Sequence, residues 1–414
     1  MKRIGVMGGT FNPVHLSHLM IALRAYDMLK LDKVWFMPSK QPMYKSQKDI
    51  ASEEDRCAMI NAAIKPYPFF ELSDYEMRRE GPTYSADTFS ALKAENPDTK
   101  YYFIIGGDSL DYFDEWKDPL RILQNCTLVV APRAMEQSSK SKADEFTECD
   151  YAGKAKSIVE KYTSENTDGT VFVPEIIFIT SPLVSIASSD LRNFIKCGIS
   201  VNGLIPPETL EYIEEKGLYR DELFTRVKQD MKALMKPKRY THILNVAEMC
   251  FKLAKLHGYD PVKAYTAGIL HDCAKHLGDE EILCEADRLG VEYDEVERKQ
   301  ASNLLHSKVG AVWAKEKYGV EDEEIRNAIK YHTTGRPDMT VLEKIVYMSD
   351  VIEPGRDMEY TPSLEAIRSI ATYDLDKACA LVLNNVVPYL LRTYKENVCT
   401  MTVDTYEFYK KYIV

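Results

Sequence analysis

The sequence predicts an α/β domain built on a doubly wound parallel sheet over residues 1–220, a linker at 221–237, and an all-α domain over 238–414. Three observations carry that division. Short apolar runs alternate with helical patterns through the first half, as in a parallel sheet covered by helices on both faces. The first of these runs ends in a glycine pair that opens a helix, a common cradle for phosphate. The remainder is mostly helical in pattern and holds six of the eight histidines.

At 414 residues, 45% hydrophobic and 28% charged, the chain has ordinary globular composition and enough length for more than one core. The net charge of −11 gives no support for binding a nucleic-acid polymer, so phosphate must be met by local groups. Nine cysteines without a Cys-x-x-Cys pair indicate neither a disulfide framework nor a cysteine zinc site, and fit a reducing cytoplasm. Met1-Lys2-Arg3-Ile4 runs straight into a strand with no signal core. With no apolar run of about eighteen residues either, no membrane span and no membrane partner are expected.

In chain order, Ile4-Gly5-Val6-Met7 is a buried strand, and Gly8-Gly9-Thr10-Phe11-Asn12-Pro13-Val14-His15-Leu16-Ser17-His18 turns from it into a helix at Leu19–Leu29. Two glycines let the backbone approach a ligand, the first helical amides are unpaired donors, and that helix end is positive. His15 and His18, three apart, share a face at the end where a triphosphate would lie. Lys33-Val34-Trp35-Phe36-Met37 is a second strand, ending at Pro38 before a polar loop over 39–49. Glu53-Glu54-Asp55-Arg56 opens a helix running through Met59 and Ile64, with its acids in the first turn, where the dipole favours them. A short strand at Phe69–Leu72 and a helix at Ser85–Lys93 follow, then a strong strand, Tyr101–Ile105, with Gly106-Gly107-Asp108-Ser109 turning at its end. Residues 134–170 are polar and read as a peripheral excursion with one exposed helix near Ala155–Tyr162. Ile176–Ile179 returns as a strand, and Ser188, Ser189 and Arg192 then combine hydroxyls, helix-end amides and a guanidinium, a set suited to a polyphosphate tail.

These motifs resemble the bacterial nicotinate mononucleotide adenylyltransferases over residues 1 to about 219. Gly8–His18 is similar to the family's Gly-Gly-Thr-Phe-Asn-Pro-x-His-x-Gly-His signature, with Ser17 in place of a glycine. Pro38–Lys45 resembles its substrate loop, Arg79–Thr88 its Gly-Pro-Ser-Tyr-Thr-x-Asp-Thr stretch, and Phe103–Leu110 with Trp116 its Gly-x-Asp and aromatic motif. Ile186–Arg192 resembles its Ile-Ser-Ser-Thr-x-Ile-Arg motif, with Ala187 in place of the first serine.

The resemblance implies a Rossmann-like nucleotidyltransferase that moves AMP from ATP to nicotinate mononucleotide, with Mg²⁺ on the phosphates. His15 and His18 are then catalytic. Gly8, Gly9, Thr10, Phe11, Gly106, Asp108, Ser188, Ser189 and Arg192 join them around ATP, while Lys45, Tyr84, Thr88 and Trp116 serve the acceptor. Another acceptor, such as nicotinamide mononucleotide or phosphopantetheine, is the alternative.

The stretch from Asp221 is charged and helix-prone, with Pro237 stopping the pattern. His242 opens a helix that ends at Gly258, and Asp260-Pro261 caps and starts the next, which leads to His271-Asp272-Cys273-Ala274-Lys275. His306, Tyr331-His332-Thr333-Thr334-Gly335 and Ser349-Asp350 follow on further helices. Nitrogen and carboxylate donors without thiolates suit iron, manganese, zinc or magnesium. Cys273 reads as packing, His257 and His276 as ordinary surface or helix-end residues, and Tyr406–Tyr412 as a packed final helix.

The order His, His-Asp, His, His, Asp resembles the HD superfamily of metal-dependent phosphohydrolases. With Tyr331–Pro337 and Asp350–Arg356, residues 238–414 look like its symmetrical diadenosine tetraphosphatase branch. That resemblance implies a divalent transition metal, iron or else manganese, held by His242, His271, Asp272 and Asp350. His306 and His332 would hold a second metal or contact phosphate, with Lys275 catalytic and Arg356 on the nucleotide phosphates. The alternative is an HD domain for a different nucleotide, or one that senses a nucleotide without turnover. ATP, nicotinate mononucleotide and diadenosine tetraphosphate are the expected ligands, and a homo-oligomer is left open.

Overall fold

The structure, a computed structural model, describes residues 1–40, 50–132, 151–165, 167, 169–179, 184–357 and 359–413. It divides into two units, Met1–Ile195 with Ser200–Tyr219, and Lys196–Ile199 with Arg220–Val414.

The first unit runs β1 (Lys2–Gly9), α1 (Leu16–Leu29), β2 (Lys33–Pro38), α2 (Glu53–Ile64), β3 (Phe70–Leu72), α3 (Ser85–Glu95), β4 (Thr99–Gly106), α4 (Pro119–Asn125), β5 (Thr127–Ala131), α5 (Tyr151–Tyr162), β6 (Ser164–Glu165), β7 (Val171–Phe172), β8 (Ile176–Phe178), α6 (Ser188–Cys197) and α7 (Pro207–Lys216). Six strands form one sheet in the order β3-β2-β1-β4-β5-β8, and all five pairings in it are parallel. Its central strands are buried on both faces, so they read as continuous apolar runs rather than alternations. Ile4, Val6, Phe103 and Ile105 pack on one face, and Met7, Tyr102, Ile104 and Val129 on the other. The chain leaves β1 toward β2 on one side and later returns to pair β4 on the other. The crevice beside the β1 carboxyl end is therefore the switch point where ligands bind in such sheets.

One expectation is corrected here. The helix expected to stand exposed within 134–170 is α5, and its Ala155 and Ile158 are buried, Ile158 against the cluster that holds Phe103 and Leu128. Helical spacing puts those two residues on one apolar stripe, which a polar composition masks.

The second unit is helical: α8 (Glu222–Leu234), α9 (Pro237–Leu256), α10 (Pro261–Leu270), α11 (Asp279–Leu289), α12 (Glu295–Lys299), α13 (Ala301–Glu316), α14 (Glu323–Tyr331), α15 (Val341–Ile352), α16 (Leu364–Ala371), α17 (Leu375–Tyr394) and α18 (Thr400–Tyr409). The stretch read as a linker carries α8, with Phe224, Val227 and Met231 buried. Helix α8 stops at Leu234, just short of Pro237, which is the first residue of α9, where its missing N–H would have had no partner; His242, expected to open that helix, lies inside it. Helix α9 packs on α10 and α15, and α13 on α11 and α14. Gly268 permits the close approach of α10 to α9, since a Cβ there would stand 2.9 Å from the Ala247 Cα and 2.8 Å from the Cys250 Sγ.

Two candidate active sites

In the first unit, the loop between β1 and α1 is bound from several sides. Phe11 holds a left-handed backbone (φ 50°) that a bulky residue adopts only when its surroundings fix it. Its ring is buried against Phe36 and meets the edge of the His18 ring at 5.0 Å. Only its backbone is then placed to meet a phosphate. The Asn12 carbonyl accepts from Arg192 Nη1 at 2.8 Å, and Asn12 Oδ1 accepts from the Tyr219 hydroxyl at 2.7 Å and the Ala51 amide at 3.0 Å. Ser188 Oγ donates to the Pro13 carbonyl at 3.1 Å. Ser188 and Arg192, on the first turns of α6, thus lie against the Gly8–His18 turn, and Ser189 is exposed beside them.

His15 and His18 stack with ring centres 3.7 Å apart. The His15 main-chain N–H donates to His18 Nδ1 at 3.2 Å, which puts the proton of a neutral His18 ring on Nε2. Ser17 is buried, so the small residue between the histidines faces the fold. Gly106 ends β4, next to β1 and parallel to it, and Asp108 sits in the following turn, so both belong to the strand-end crevice that contains Gly8 and Gly9.

On the acceptor side, Trp116 packs against Phe103 and Phe113, and the Lys117 ammonium lies 4.2 Å from the Tyr84 ring centre, which brings those two aromatic positions together. Thr88 is buried and donates its hydroxyl to Glu76 Oε1 at 2.9 Å, so it stands behind that wall rather than on it. Lys45 lies outside the described residues.

Sequence reasoning missed the residue that ties this region together. Arg56, on α2, is buried, and its guanidinium donates to the carbonyls of Thr10 at 3.0 Å, Ser39 at 2.8 Å and Lys40 at 3.3 Å. It clips the glycine turn to the end of β2.

In the second unit, six expected residues converge. Helices α9, α13 and α15 bring His242, His306 and Asp350, while His271 and His332 sit at the C-terminal ends of α10 and α14. Asp272, 2% exposed, stands in the middle. Its Oδ2 is 3.4 Å from His271 Nε2 and 4.0 Å from His242 Nε2, and its Oδ1 is 3.3 Å from His306 Nε2 and 3.7 Å from His332 Nε2. His242 Nε2 is also 3.0 Å from Asp350 Oδ1. Burial opposes the Asp272 anion, yet His271, His306 and His332 hold its carboxyl well below the usual range.

The donor set fits a divalent metal. Two ligand atoms each about 2.1 Å from one ion and subtending about 90–110° stand roughly 3.0–3.4 Å apart, which several of these separations match. His271 and His332 each offer Nδ1 to a main-chain carbonyl, of Gly268 and Ile329, both at 2.7 Å. A neutral ring so held keeps the Nε2 lone pair for an ion. His271 Nε2 is buried without a hydrogen-bond partner, which an ion would relieve. His242 with His271 and Asp350, and His271 with Asp272 and His332, form two groups whose ligand atoms lie within 4.8 Å of one another.

Three cations border the cluster. Arg356 Nη2 donates to Asp350 Oδ1 at 2.6 Å, Lys275 Nζ to the Ser302 carbonyl at 2.9 Å, and Arg239 Nη1 to Asp272 Oδ2 at 2.8 Å. Burial lowers the Lys275 ammonium below its ordinary value. Its Nζ is 3.3 Å from His306 Nδ1, and burial pushes the His306 imidazole down to about 4. Arg239 was not anticipated; its one sequence signal is its place three residues before His242 on α9. Cys273 is buried with Sγ 3.6 Å from the Gly310 carbonyl, away from the cluster, and His257 bonds the Ala371 carbonyl at 2.8 Å.

Residues 6–194 match the cytidylyltransferase-like family and residues 239–355 the HD domain family. The chain is 36% identical over 219 residues to a probable nicotinate-nucleotide adenylyltransferase of Lachnoclostridium phytofermentans, covering 53% of this chain and 100% of that protein. It is 28% identical over 388 residues to a probable nicotinate-nucleotide adenylyltransferase/Ap4A hydrolase of Mycoplasma genitalium, covering 93% and 98%. A crystal structure of a predicted HD superfamily hydrolase involved in NAD metabolism from Clostridium acetobutylicum is 33% identical, covers 45% of this chain and 97% of its own, and superposes with a TM-score of 0.43. The chain belongs to the nicotinate-nucleotide adenylyltransferase family, with an HD domain as its second half.

Proposed function

We propose that the first unit transfers AMP from ATP to nicotinate mononucleotide, and that the second hydrolyses diadenosine tetraphosphate symmetrically to two ADP. The pairing carries this reading: one chain holds a glycine turn with two stacked histidines in its first unit and a buried histidine–aspartate cluster in its second. The Mycoplasma relative spans 93% of this chain and bears both activities in its name.

In the first reaction a phosphate oxygen of the acceptor bonds to the α-phosphorus of ATP while the bond to the β-phosphate oxygen breaks and pyrophosphate leaves. No covalent enzyme intermediate is required, so alignment and charge stabilisation are the protein's contribution. His18, with its proton on Nε2, and His15 donate to phosphate oxygens at the start of α1, and Mg²⁺ enters with ATP. Gly8, Gly9, Thr10 and the Phe11 backbone line the turn, Gly106 and Asp108 the neighbouring strand end, and Ser188, Ser189 and Arg192 face the leaving pyrophosphate. Lys45 meets the acceptor phosphate, and Tyr84 and Trp116 flank the pyridine.

In the second reaction a water oxygen bonds to one inner phosphorus, its proton departs, and the central bridging oxygen leaves with the other ADP. His242, His271, Asp272, Asp350 and His332 would hold a divalent metal, with iron first and manganese second for this nitrogen–carboxylate set. That ion supplies charge neutralisation and a lowered water pKa. An ammonium has donors only, so His306 Nδ1 accepts from Lys275 and the His306 proton sits on Nε2. That tautomer favours phosphate contact over metal ligation for His306. Lys275, Arg239 and Arg356 meet the tetraphosphate.

The test is to incubate the purified protein, with its metal content measured, with diadenosine tetraphosphate, and separately with ATP and each acceptor. Two ADP and a preference for nicotinate mononucleotide are expected. ATP plus AMP as products, no cleavage by metal-loaded protein, or equal use of other acceptors would overturn the corresponding half.

A further inference from the structure

We infer that Glu353 is the positioning residue that fixes His242 for the metal, an inference that rests on the metal-centre reading above. His271 and His332 lie at helix C-termini, where carbonyls lack an amide partner, and each ring donates its Nδ1 proton to one of them. His242 lies inside α9, and its ring is turned away from that helix's own carbonyls. Its Nδ1 meets Glu353 Oε1 at 3.1 Å instead, and its Nε2 points at Asp350.

The Glu353 carboxylate is itself fully engaged. It is 2% exposed, and Oε2 accepts from Asn245 Nδ2 at 2.8 Å and from the Gly355 main-chain N–H. Asn245 is three residues beyond His242 on the same helix, so α9 supplies both the ligand and a clamp on its support. Arg368 fixes the backbone around Glu353 by donating to the carbonyls of Ile352 at 2.9 Å, Glu353 at 3.0 Å and Arg356 at 3.1 Å.

This arrangement requires an acceptor at both oxygens. A glutamine amide placed at Oε2 would face two donors. Placed at Oε1, it would donate to His242 Nδ1 and drive the imidazole proton to Nε2, the atom aimed at the centre. Glu353→Gln therefore changes a tautomer with almost no change in volume.

Two measurements read this on the full-length protein. In the metal-free protein, ¹⁵N spectra of labelled histidine should show His242 protonated at Nδ1 in the parent and at Nε2 in Glu353→Gln. In a Mn²⁺ titration the same variant should bind on the order of 10–100-fold more weakly than the parent. Asn245→Ala, which leaves Glu353 in place, should weaken binding by less while keeping the parental tautomer. If Glu353→Gln fails to fold, Asn245→Ala replacing the parental tautomer with the Nε2 form, or binding Mn²⁺ as tightly as the parent, overturns the inference. A folded Glu353→Gln with parental affinity and tautomer also overturns it. A parent that binds no divalent metal instead removes the metal-centre reading beneath it.

Discussion

Replacing Arg56 by methionine tests whether the phosphate turn of the first unit is held from behind by a single buried cation. Three hydrogen bonds from the guanidinium to carbonyls are lost, and charged donors contribute about 1.5–3 kcal/mol each. Burying the guanidinium works against them, as the lowering of the Arg56 pKa by desolvation shows, and methionine removes that cost. Thr10, Ser39 and Lys40 are only partly buried, so water can reach their freed carbonyls and the loss falls toward the low end. A net loss of about 2 kcal/mol follows, or a fall of roughly 4–8 °C in the transition of a unit this size. Calorimetry of the full chain reads that shift. Because the clip joins the ATP turn to the strand end bordering the acceptor loop, the KM for ATP and for the acceptor should both rise, with hydrolysis of diadenosine tetraphosphate unchanged. Arg56→Lys, which keeps the charge but loses the fork, should fall between. A change below about 0.5 kcal/mol with both KM values unmoved would refute the reasoning.

Other outcomes follow from the same geometry. His15→Ala should abolish adenylyl transfer and leave hydrolysis intact, whereas Asp272→Ala should do the reverse; product assays on both variants check it, and loss of both activities in either one contradicts two independent sites. Removing the metal by chelation should abolish hydrolysis and lower the stability of the second unit by about 2.7 kcal/mol relative to protein held at 100 times the metal Kd, read as a shift of one thermal transition. Burial raises the pKa of Glu76 despite its bonds to Thr83 and Thr88, so the folded state prefers the protonated acid and becomes less stable as pH rises from the unfolded value through the folded one. Glu76→Gln should therefore stabilise the first unit at pH 7 and do little at pH 4; equal effects in urea unfolding at the two values would count against that account.

What the sequence made legible, and what it did not, divides by the range of the interactions involved. The strand–turn–helix at Gly8–His18 is local chemistry, and so is the alternation that predicts the parallel sheet. The six cluster residues were legible for a different reason: histidine and aspartate carry the chemistry in their own side chains, and their order along helices survives without knowledge of the packing. Arg56 looked like one more charged residue in an acidic helix turn, because its acceptors are main-chain carbonyls 46, 17 and 16 positions away. Glu353 stood in plain sight beside Asp350, but its role depends on His242, 111 positions earlier. Pro237 marked the stop before it, where α8 ends at Leu234, but its second role as the first residue of α9 went unread, because one residue type both follows helix ends and begins helices.

The two proposed reactions would be joined by stoichiometry as well as by the chain. An enzyme that presents the α-phosphorus of ATP to a phosphate oxygen offers the same attack position to other terminal phosphates, among them the γ-phosphate of a second ATP. Attack by that oxygen expels pyrophosphate and leaves two adenosines joined by four phosphates, which is the substrate proposed for the second unit; symmetric hydrolysis then returns two ADP. The Asp272→Ala protein supplied with ATP and Mg²⁺ but no mononucleotide should therefore accumulate diadenosine tetraphosphate, while the parent should convert the same ATP to ADP and pyrophosphate. Adding nicotinate mononucleotide should suppress both, since it competes for the same attack position. If the variant forms no dinucleoside polyphosphate under conditions where it still makes deamido-NAD, the first unit excludes a second ATP from its acceptor side. The second unit must then draw its substrate from elsewhere, and the tether needs another reason.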